Sequence, residues 1–551
     1  MTFSTHAGSL QNQIENACVQ LQNRSAVDGL WNRRLDLWTS DPSVQEKISQ
    51  RLGWLSALDT VEPQVARLRA CAASIREDGF SDIVLLGMGG SSLAPEVLRA
   101  VIGVTPGYPR FTVLDSVDPD AVRAAMSRPE STLFVMASKS GSTIEPNVLL
   151  AEGLRRLASA GIAEPGSRVI AITDPDTALH RRALDEKFRD LFINPPDIGG
   201  RFSALSLFGL VPAAMMGIDV DTLITPARAM IDACRAEDPR VNPGFALGAF
   251  MAAAALAGRD KVTLAVPATL EPFGLWVEQL VAESTGKEGK GVVPIAGEST
   301  AVITREDRAI VRITLGDESS DVTAADNIPV MTLNMPDAHA LGAEFFRWEA
   351  ATAAAGLLLE INPFDEPNVA QAKAATRTLL DTYTTAHRLP LPEPDAAIDG
   401  VRLTLSDAAR QVLTLEGPLA FLKLLQPGDY CGVLAYLPSE DSVFDPILRN
   451  FRTAVAAKSG CATMLGYGPR YLHSTGQLHK GGPNTGLFVI VTADPAEDLP
   501  IPGEPFSFAV LEQAQAAGDF DSLARANRRV LLIHAPDRAP GRLQRIFDAL
   551  I

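Results

Sequence analysis

Short apolar runs recur along almost the whole chain, and between them lie segments with helical spacing. I-V-L-L-G (83–87), F-T-V-L-D (111–115), T-L-F-V-M-A-S (132–138), R-V-I-A-I-T (168–173) and L-F-I-N (191–194) make a first set. V-T-L-A-V (262–266), A-I-V-R-I-T-L (309–315), V-M-T-L-N (330–334) and L-L-L-E-I-N (357–362) make a second. C-G-V-L-A-Y-L (431–437), A-T-M-L-G-Y (462–467), L-F-V-I-V-T (487–492) and R-V-L-L-I-H (529–534) make a third. Uninterrupted apolar runs of this length, alternating with helices, predict strands buried on both faces in parallel α/β units. Helical spacing over residues 8 to about 75, with Trp31, Trp38 and Trp54, predicts a helical segment ahead of them. A long helix is expected over 339–355, and the proline-rich R-L-P-L-P-E-P-D (388–395) reads as a linker. Asp118 and Asp174 each follow a strand and are expected to cap the next helix. The expected organisation is a helical segment (1–75), two α/β domains (76–225 and 226–390) and a further α/β region (391–551).

A chain of 551 residues has room for about three such units. Its formal charge of −17 excludes the broad basic footprint that a nucleic-acid backbone demands. A small anion, which needs only a few local donors, stays open. The five cysteines are scattered with no C-x-x-C pair, which argues for reduced thiols and offers no metal spacing. The start, M-T-F-S-T-H-A-G, lacks the pattern of a secretory signal, and the longest apolar run (246–258) is too short to span a bilayer. A soluble, cytoplasmic protein without membrane or nucleic-acid partners is expected.

Within V-M-A-S-K-S-G-S-T-I-E-P-N (135–147), a strand runs into Ser138, Ser140, Ser142 and Thr143 around one glycine. One reading is a loop closed by an ordinary N-cap. The other is an anion cradle of hydroxyls and backbone N–H groups at a helix N-terminus. L-L-G-M-G-G-S-S-L-A-P (85–95) invites a dinucleotide reading, but the G-x-G-x-x-G frame fails at Ser92, although Asp115 ends the next strand. Its alternative use is close backbone approach to a small ligand at Gly89 and Gly90, with Ser91 as donor. Both loops fall at carboxyl ends of predicted strands, where parallel sheets bind ligands. Together they favour a phosphorylated small molecule.

Four further stretches carry chemistry. P-D-I-G-G-R-F-S-A-L-S (196–206) puts Arg201 at a helix start, against the dipole preference, which suggests an anion to be met there. In W-V-E-Q-L-V-A-E-S-T-G-K-E-G-K-G (276–291), Gln279 and Glu283 share a helix face near its end, and the carboxylate projects toward a turn, as a base does. In N-P-F-D-E-P-N-V-A-Q-A-K (362–373), Lys373 sits about two turns into a helix, a place usually facing solvent. G-P-R-Y-L-H-S-T-G-Q-L-H-K-G-G-P-N-T-G (468–486) holds His473 and His479 at a spacing that suits acid–base work better than metal ligation.

These signatures, in order from residue 87 to 486, resemble the glucose-6-phosphate isomerase family. They are most similar to the isomerase part of bifunctional transaldolase/glucose-6-phosphate isomerase proteins. No aldolase-type barrel is expected in this chain. The resemblance implies two flavodoxin-like, doubly wound parallel-sheet domains of the sugar-isomerase type, with the active site between them. It implies metal- and cofactor-free interconversion of glucose 6-phosphate and fructose 6-phosphate, a step of glycolysis and gluconeogenesis, by a homodimer. Matched motif by motif, Ser138, Lys139 through its backbone, Ser140 and Thr143 resemble the phosphate site. Gly89, Gly90 and Ser91 resemble the sugar-contacting turn. Glu283 resembles the base, with Gln279 beside it; Arg201 resembles the cation facing the enediolate and Lys373 the ring-opening partner. The alternatives are a dual phosphoglucose/phosphomannose isomerase and a non-catalytic phosphosugar sensor.

Two departures stand out. The family's F-D-Q is Phe364, Asp365 and Glu366 here, so Glu366 is expected either turned away or bound to a cation. The L-H-S-x-G-Q motif, which in many bacterial relatives follows soon after the base, appears far downstream at 472–477, and 292–305 contain no histidine. The expectation is that His473 opens the ring from the third α/β region, across a dimer interface if it follows the family. His479 is the fallback, and His339 marks a helix start.

Overall fold

The computed structural model describes residues 2–298, 302–414, 416–439 and 441–551, and of residues 369–372 the backbone alone. An N-terminal strand, β1 (Phe3–His6), precedes the helical segment, which the sequence reading left without a strand. The first apolar set forms β2 (Asp82–Gly87), β3 (Arg110–Leu114), β4 (Thr132–Ala137), β5 (Val169–Thr173) and β6 (Asp190–Ile193). All five are parallel in the order β3-β2-β4-β5-β6, the flavodoxin-like winding. The chain reverses direction across the sheet between β2 and β4. The Gly-rich turn leaves β2 and the serine loop leaves β4, so both open on that switch point.

The second sheet contains β7 (Lys261–Ala265), β8 (Val293–Ile295), β10 (Arg308–Leu315) and β12 (Val330–Met335). Its order is β1-β12-β10-β7-β8, parallel apart from β1. Two short strands, β9 (Val302–Ile303) and β11 (Thr323–Ala324), pair beside it. The expected strand at 357–362 is absent: Leu357–Leu359 end a helix that runs from Leu341 to Leu359, where Glu360 turns left-handed at φ 55°. That helix is buried on every side, so its end shows no polar face to distinguish it from a buried strand.

The third sheet comprises β13 (Ala396–Ile398), β14 (Val401–Leu405), β15 (Tyr430–Tyr436), β16 (Ala462–Tyr467), β17 (Gly486–Ala493) and β18 (Arg529–Ala535), in the order β13-β14-β18-β17-β15-β16. Four of its strands are parallel, and a β13–β14 hairpin adds an antiparallel edge. Asp399 and Gly400, at φ 49° and 82°, form its two-residue turn, a conformation Asp-Gly adopts readily. Of the two expected aspartate caps, Asp118 accepts from the N–H groups of Asp120 and Ala121, whereas Thr177 caps the helix after β5. Asp174 is engaged instead by Lys139.

One apolar core runs from the N-terminal helices through the facing layers of the first two sheets. The third sheet has its own core on one face. Its other face and the Phe508–Arg525 helix pack onto the first two sheets, Phe508 and Leu511 against Phe134 and Met136, and Phe520 against Val293 and Ile295. The cleft between the first two sheets is thereby roofed by the third. Among the described residues no helix is long and apolar enough to cross a membrane.

Candidate active site

A cleft of about 180 Å³ lies where the three parts meet. On one wall is the turn after β2, where Gly89 holds φ +53° and a Cβ on Gly90 would sit 1.8 Å from the Gly200 carbonyl oxygen. Only glycine allows the two loops to approach this closely. Ser91 follows, buried, and the single Ser92 hydroxyl proton has two acceptors in reach, the Gly89 carbonyl at 3.2 Å and Asp115 at 3.3 Å. Asp115 is itself held bidentate by Arg470 at 2.8 and 2.9 Å, so it is committed to the third region.

The serine loop enters the Ile144–Ser159 helix. Thr143 takes the N-cap position without a side-chain cap bond, and the buried Ser138 hydroxyl has no partner. Among the described residues Ser140 Oγ accepts from Ser142 alone, from its N–H at 3.3 Å and its hydroxyl at 3.1 Å. These hydroxyls therefore do not close a cap; they stand uncommitted beside the positive end of a helix dipole. The Lys139 ammonium is turned to Asp174 and to the Pro196 carbonyl at 2.8 Å, leaving the backbone as this residue's means of meeting an anion. Lys139 lines the cleft, and Ser138, Ser140 and Thr143 flank it just outside the lining.

The opposite wall is the Glu271–Thr285 helix. One turn apart on it, Gln279 Nε2 donates to Glu283 Oε2 at 3.2 Å and to the His473 carbonyl at 2.7 Å. Arg201, in the turn Gly200–Phe202, is 4% exposed and every face of its guanidinium is used. Nε donates to Ser284 Oγ at 2.7 Å, Nη2 to the carbonyls of Pro363 (2.7 Å) and Asp365 (2.9 Å), and Nη1 to Glu366 at 3.0 Å. The same Nη1 lies 3.3 Å from Glu283 Oε1. Glu366 is thus bound to a cation, one of its two expected arrangements. Burial raises the Glu283 carboxyl above its ordinary range, and Arg201 only partly offsets this. At Glu366 burial also works upward, but the charge and hydrogen bond of Arg201 outweigh it and hold that carboxyl low.

Aromatic packing fixes these loops. Trp54 stacks on Phe202 at 5.4 Å, Phe202 lies 5.4 Å from Phe364, and Trp38 meets Phe364 edge-on at 5.1 Å. The N-terminal helices thus seat the residues next to Arg201 and Glu366. They also deliver Arg51 to the cleft, a residue the sequence reading missed. Its guanidinium donates to the Gln50 carbonyl at 3.0 Å and, among the described residues, forms no ion pair. Lys373 lines the cleft from the Pro367–Ala386 helix, exposed.

His473, in the turn Arg470–His473, reaches the cleft within its own chain because the third region packs over both domains. The expected trans contribution is therefore not needed to complete the site. Its Nε2 lies 3.0 Å from Glu145 Oε1, a buried carboxylate in the first turn of the Ile144–Ser159 helix. Burial works to raise the Glu145 carboxyl, and the His473 charge and hydrogen bond overcome it and hold it below the ordinary range. Glu145 was also missed, though it stands directly after the serine loop in S-T-I-E. The fallback, His479, is corrected: it is 1% exposed, with both ring nitrogens unpartnered among Tyr430, Tyr471 and Phe488. Burial drives its imidazole far below its ordinary range, so it is a neutral core side chain away from the cleft. His339 lies in the turn Ala338–Ala340 that opens the Leu341–Leu359 helix.

Residues 73–309 match a family model described as phosphoglucose isomerase. A glucose-6-phosphate isomerase of Rubrobacter xylanophilus is 30% identical over 366 residues, covering 55% of this chain and 84% of the relative. One of Parasynechococcus marenigrum is 28% identical over 384 residues, covering 61% and 69%. Among solved structures, a glucose-6-phosphate isomerase from Chlamydia trachomatis aligns with a TM-score of 0.55 at 17% identity, covering 68% of this chain and 86% of that one, a likeness of fold.

Proposed function

The chain belongs to the phosphoglucose isomerase family, and from that premise we propose that it interconverts glucose 6-phosphate and fructose 6-phosphate through a cis-enediolate, without a metal. The observation that carries this is the convergence of Glu283, Arg201 and His473 on one cleft beside the uncommitted hydroxyls of the serine loop. A phosphosugar sensor needs the anion loop but has no use for a buried carboxylate paired to a guanidinium.

The substrate phosphate sits on Ser138, the Lys139 backbone, Ser140 and Thr143, and this remote anchoring positions the reacting carbons against the turn Gly89–Ser91. Arg51 adds a cation on the facing side. His473, held by Glu145 and with Lys373 nearby, moves a proton between the ring oxygen and O1, and the ring opens. Glu283 then takes the proton from C2 while the electron pair moves into the carbonyl, and the negative charge that develops on oxygen faces Arg201. Transfer of the hydroxyl proton and return of the carbon-bound proton from Glu283 to C1 give the ketose. In this reading 76–225 binds phosphate, 226–390 supplies the base and 391–551 supplies the histidine. The reading includes a cytoplasmic homodimer whose His473 acts in its own chain. The reading also includes a likeness to the isomerase part of transaldolase-fused proteins, which rests on the ordered signatures between residues 87 and 486 taken together.

The test is a coupled assay of fructose 6-phosphate conversion with native chain, Glu283→Gln and His473→Ala. The expected result is activity in the native chain, lowered about a thousandfold by the first change and about a hundredfold by the second. An active Glu283→Gln variant would remove Glu283 from the role of base, and an inactive native chain that still binds sugar phosphate would leave a sensor.

A further inference from the structure

Glu145 Oε1 accepts two hydrogen bonds. One involves His473 Nε2 at 3.0 Å; the other comes from Gln515 Nε2 at 2.7 Å. Gln515 is 3% exposed and lies on the Phe508–Arg525 helix of the third region. One turn further on the same helix face is Asp519, 1% exposed. Asp519 accepts from the Tyr471 hydroxyl at 2.6 Å and pairs with the Lys480 ammonium. The Tyr471 and Tyr436 hydroxyl oxygens also lie 3.1 Å apart. This single helix therefore grips the histidine segment at two points: through the backbone neighbourhood of His473, at Tyr471 and Lys480, and through the carboxylate that orients its ring.

We propose that Gln515 is a positioning residue for the Glu145–His473 pair, keeping Glu145 ionised and aimed at the imidazole so that the ring-opening proton transfer runs from a fixed geometry. The inference rests on the isomerase reading above and deepens it. A carboxylate this buried needs donors to stay charged, and Gln515 adds one to those of His473 and the Glu145 backbone N–H. The other titratable groups facing Glu145 are Lys373, whose charge favours the carboxylate, and Tyr436, whose own ionisation the carboxylate opposes. Neither donates to it, so Gln515 is the side-chain donor beside His473 among the described residues. Among the described residues the Gln515 carbonyl oxygen has no partner, and the side chain's hydrogen bond is the one it donates to Glu145.

The test is the pH profile of kcat at saturating glucose 6-phosphate for native chain and Gln515→Met, which keeps the shape and deletes the donor. The expected outcome is a fall in kcat of about tenfold with KM within about twofold. With the donor gone Glu145 protonates more readily, so a second proton enters the acid limb that Glu283 sets, and the limb steepens from one proton toward two and moves up. A packing role alone would lower the folded fraction without displacing that limb. Gln515→Asn, which withdraws the amide by one methylene, provides the same readout should the methionine variant fail to fold. An unmoved acid limb in a folded variant overturns the inference and leaves the isomerase reading standing. An inactive native chain overturns that reading itself.

Discussion

Replacing Glu366 by glutamine restores the residue of the family's F-D-Q motif and tests how Arg201 divides its charge. One atom, Arg201 Nη1, lies 3.0 Å from Glu366 Oε2 and 3.3 Å from Glu283 Oε1, so the two carboxylate oxygens are no more than about 6 Å apart. At an effective dielectric of about 20, like charges at that range repel by about 3 kcal/mol, equivalent to about 2 pH units. The Glu366 side chain is 39% exposed, and solvent screening reduces the shift to about 1 unit. The sign follows from the role proposed for Glu283. As a base it works ionised, so its carboxyl sets the acid limb of kcat/KM, and Glu366 pushes that carboxyl further upward. Glu366→Gln removes the repulsion and leaves Arg201 to Glu283 alone. The acid limb should therefore move to lower pH by about 1 unit. The assay is kcat/KM for fructose 6-phosphate at constant ionic strength between about pH 5 and 9, with glucose 6-phosphate coupled to a dehydrogenase. A limb that stays put, or moves upward, would show that Arg201 does not link the two carboxylates and would refute the reasoning.

Two shorter predictions follow from other groups. Arg51→Ala should raise KM for both sugar phosphates about tenfold with kcat within about twofold, because an unpaired cation in the cleft supplies binding common to ground and transition states; steady-state kinetics check this. Glu278 is buried, with Oε1 accepting from the Ala296 N–H at 3.0 Å, and burial pushes its carboxyl from 4.5 up to about 7. Between those values the folded chain holds a proton that the unfolded chain releases, so stability falls as pH rises through that window, by up to about 3 kcal/mol. Urea unfolding across that window should show the slope in the native chain and lose it in Glu278→Gln.

Local chemistry was legible where it repeats or where one residue does the work. Runs such as Ile83–Gly87 and Leu487–Thr492 announce buried strands because nothing else keeps such residues out of water. The same logic misled at Leu357–Leu359, since a helix buried all round and a buried strand look alike over three leucines. The β13–β14 hairpin had a signal, Asp399-Gly400 between two runs of strand formers, that went unread. At the site, Arg201 was recognisable from its glycine-bearing turn, and Gln279 and Glu283 from the helix face they share just ahead of Gly286. Their couplings were not, because these are matters of distance alone: Arg201 meets Glu366 across 165 positions, and His473 meets Glu145 across 328.

The two histidines show the limit most plainly. His473 and His479 belong to one segment between β16 and β17 and lie six positions apart, yet one faces Glu145 and the other, in the Gly476–Gly481 helix, is enclosed by three aromatic rings. What separates them is the docking of the third region. Arg470 is clamped to Asp115, Arg538 to Asp118 and Asp120, and Arg452 Nη2 donates to the Ala296 carbonyl at 2.6 Å. These contacts tie the region to both neighbouring sheets and fix the direction in which the loop enters the cleft. A histidine supplied this way has no need to follow the base in sequence, because proton transfer depends on where the imidazole stands and on what holds it there. In the proposed reading the downstream L-H-S-T-G-Q motif and the third α/β region belong to one arrangement: a histidine carried so far from the base works only if the chain also carries a surface that returns it to the cleft.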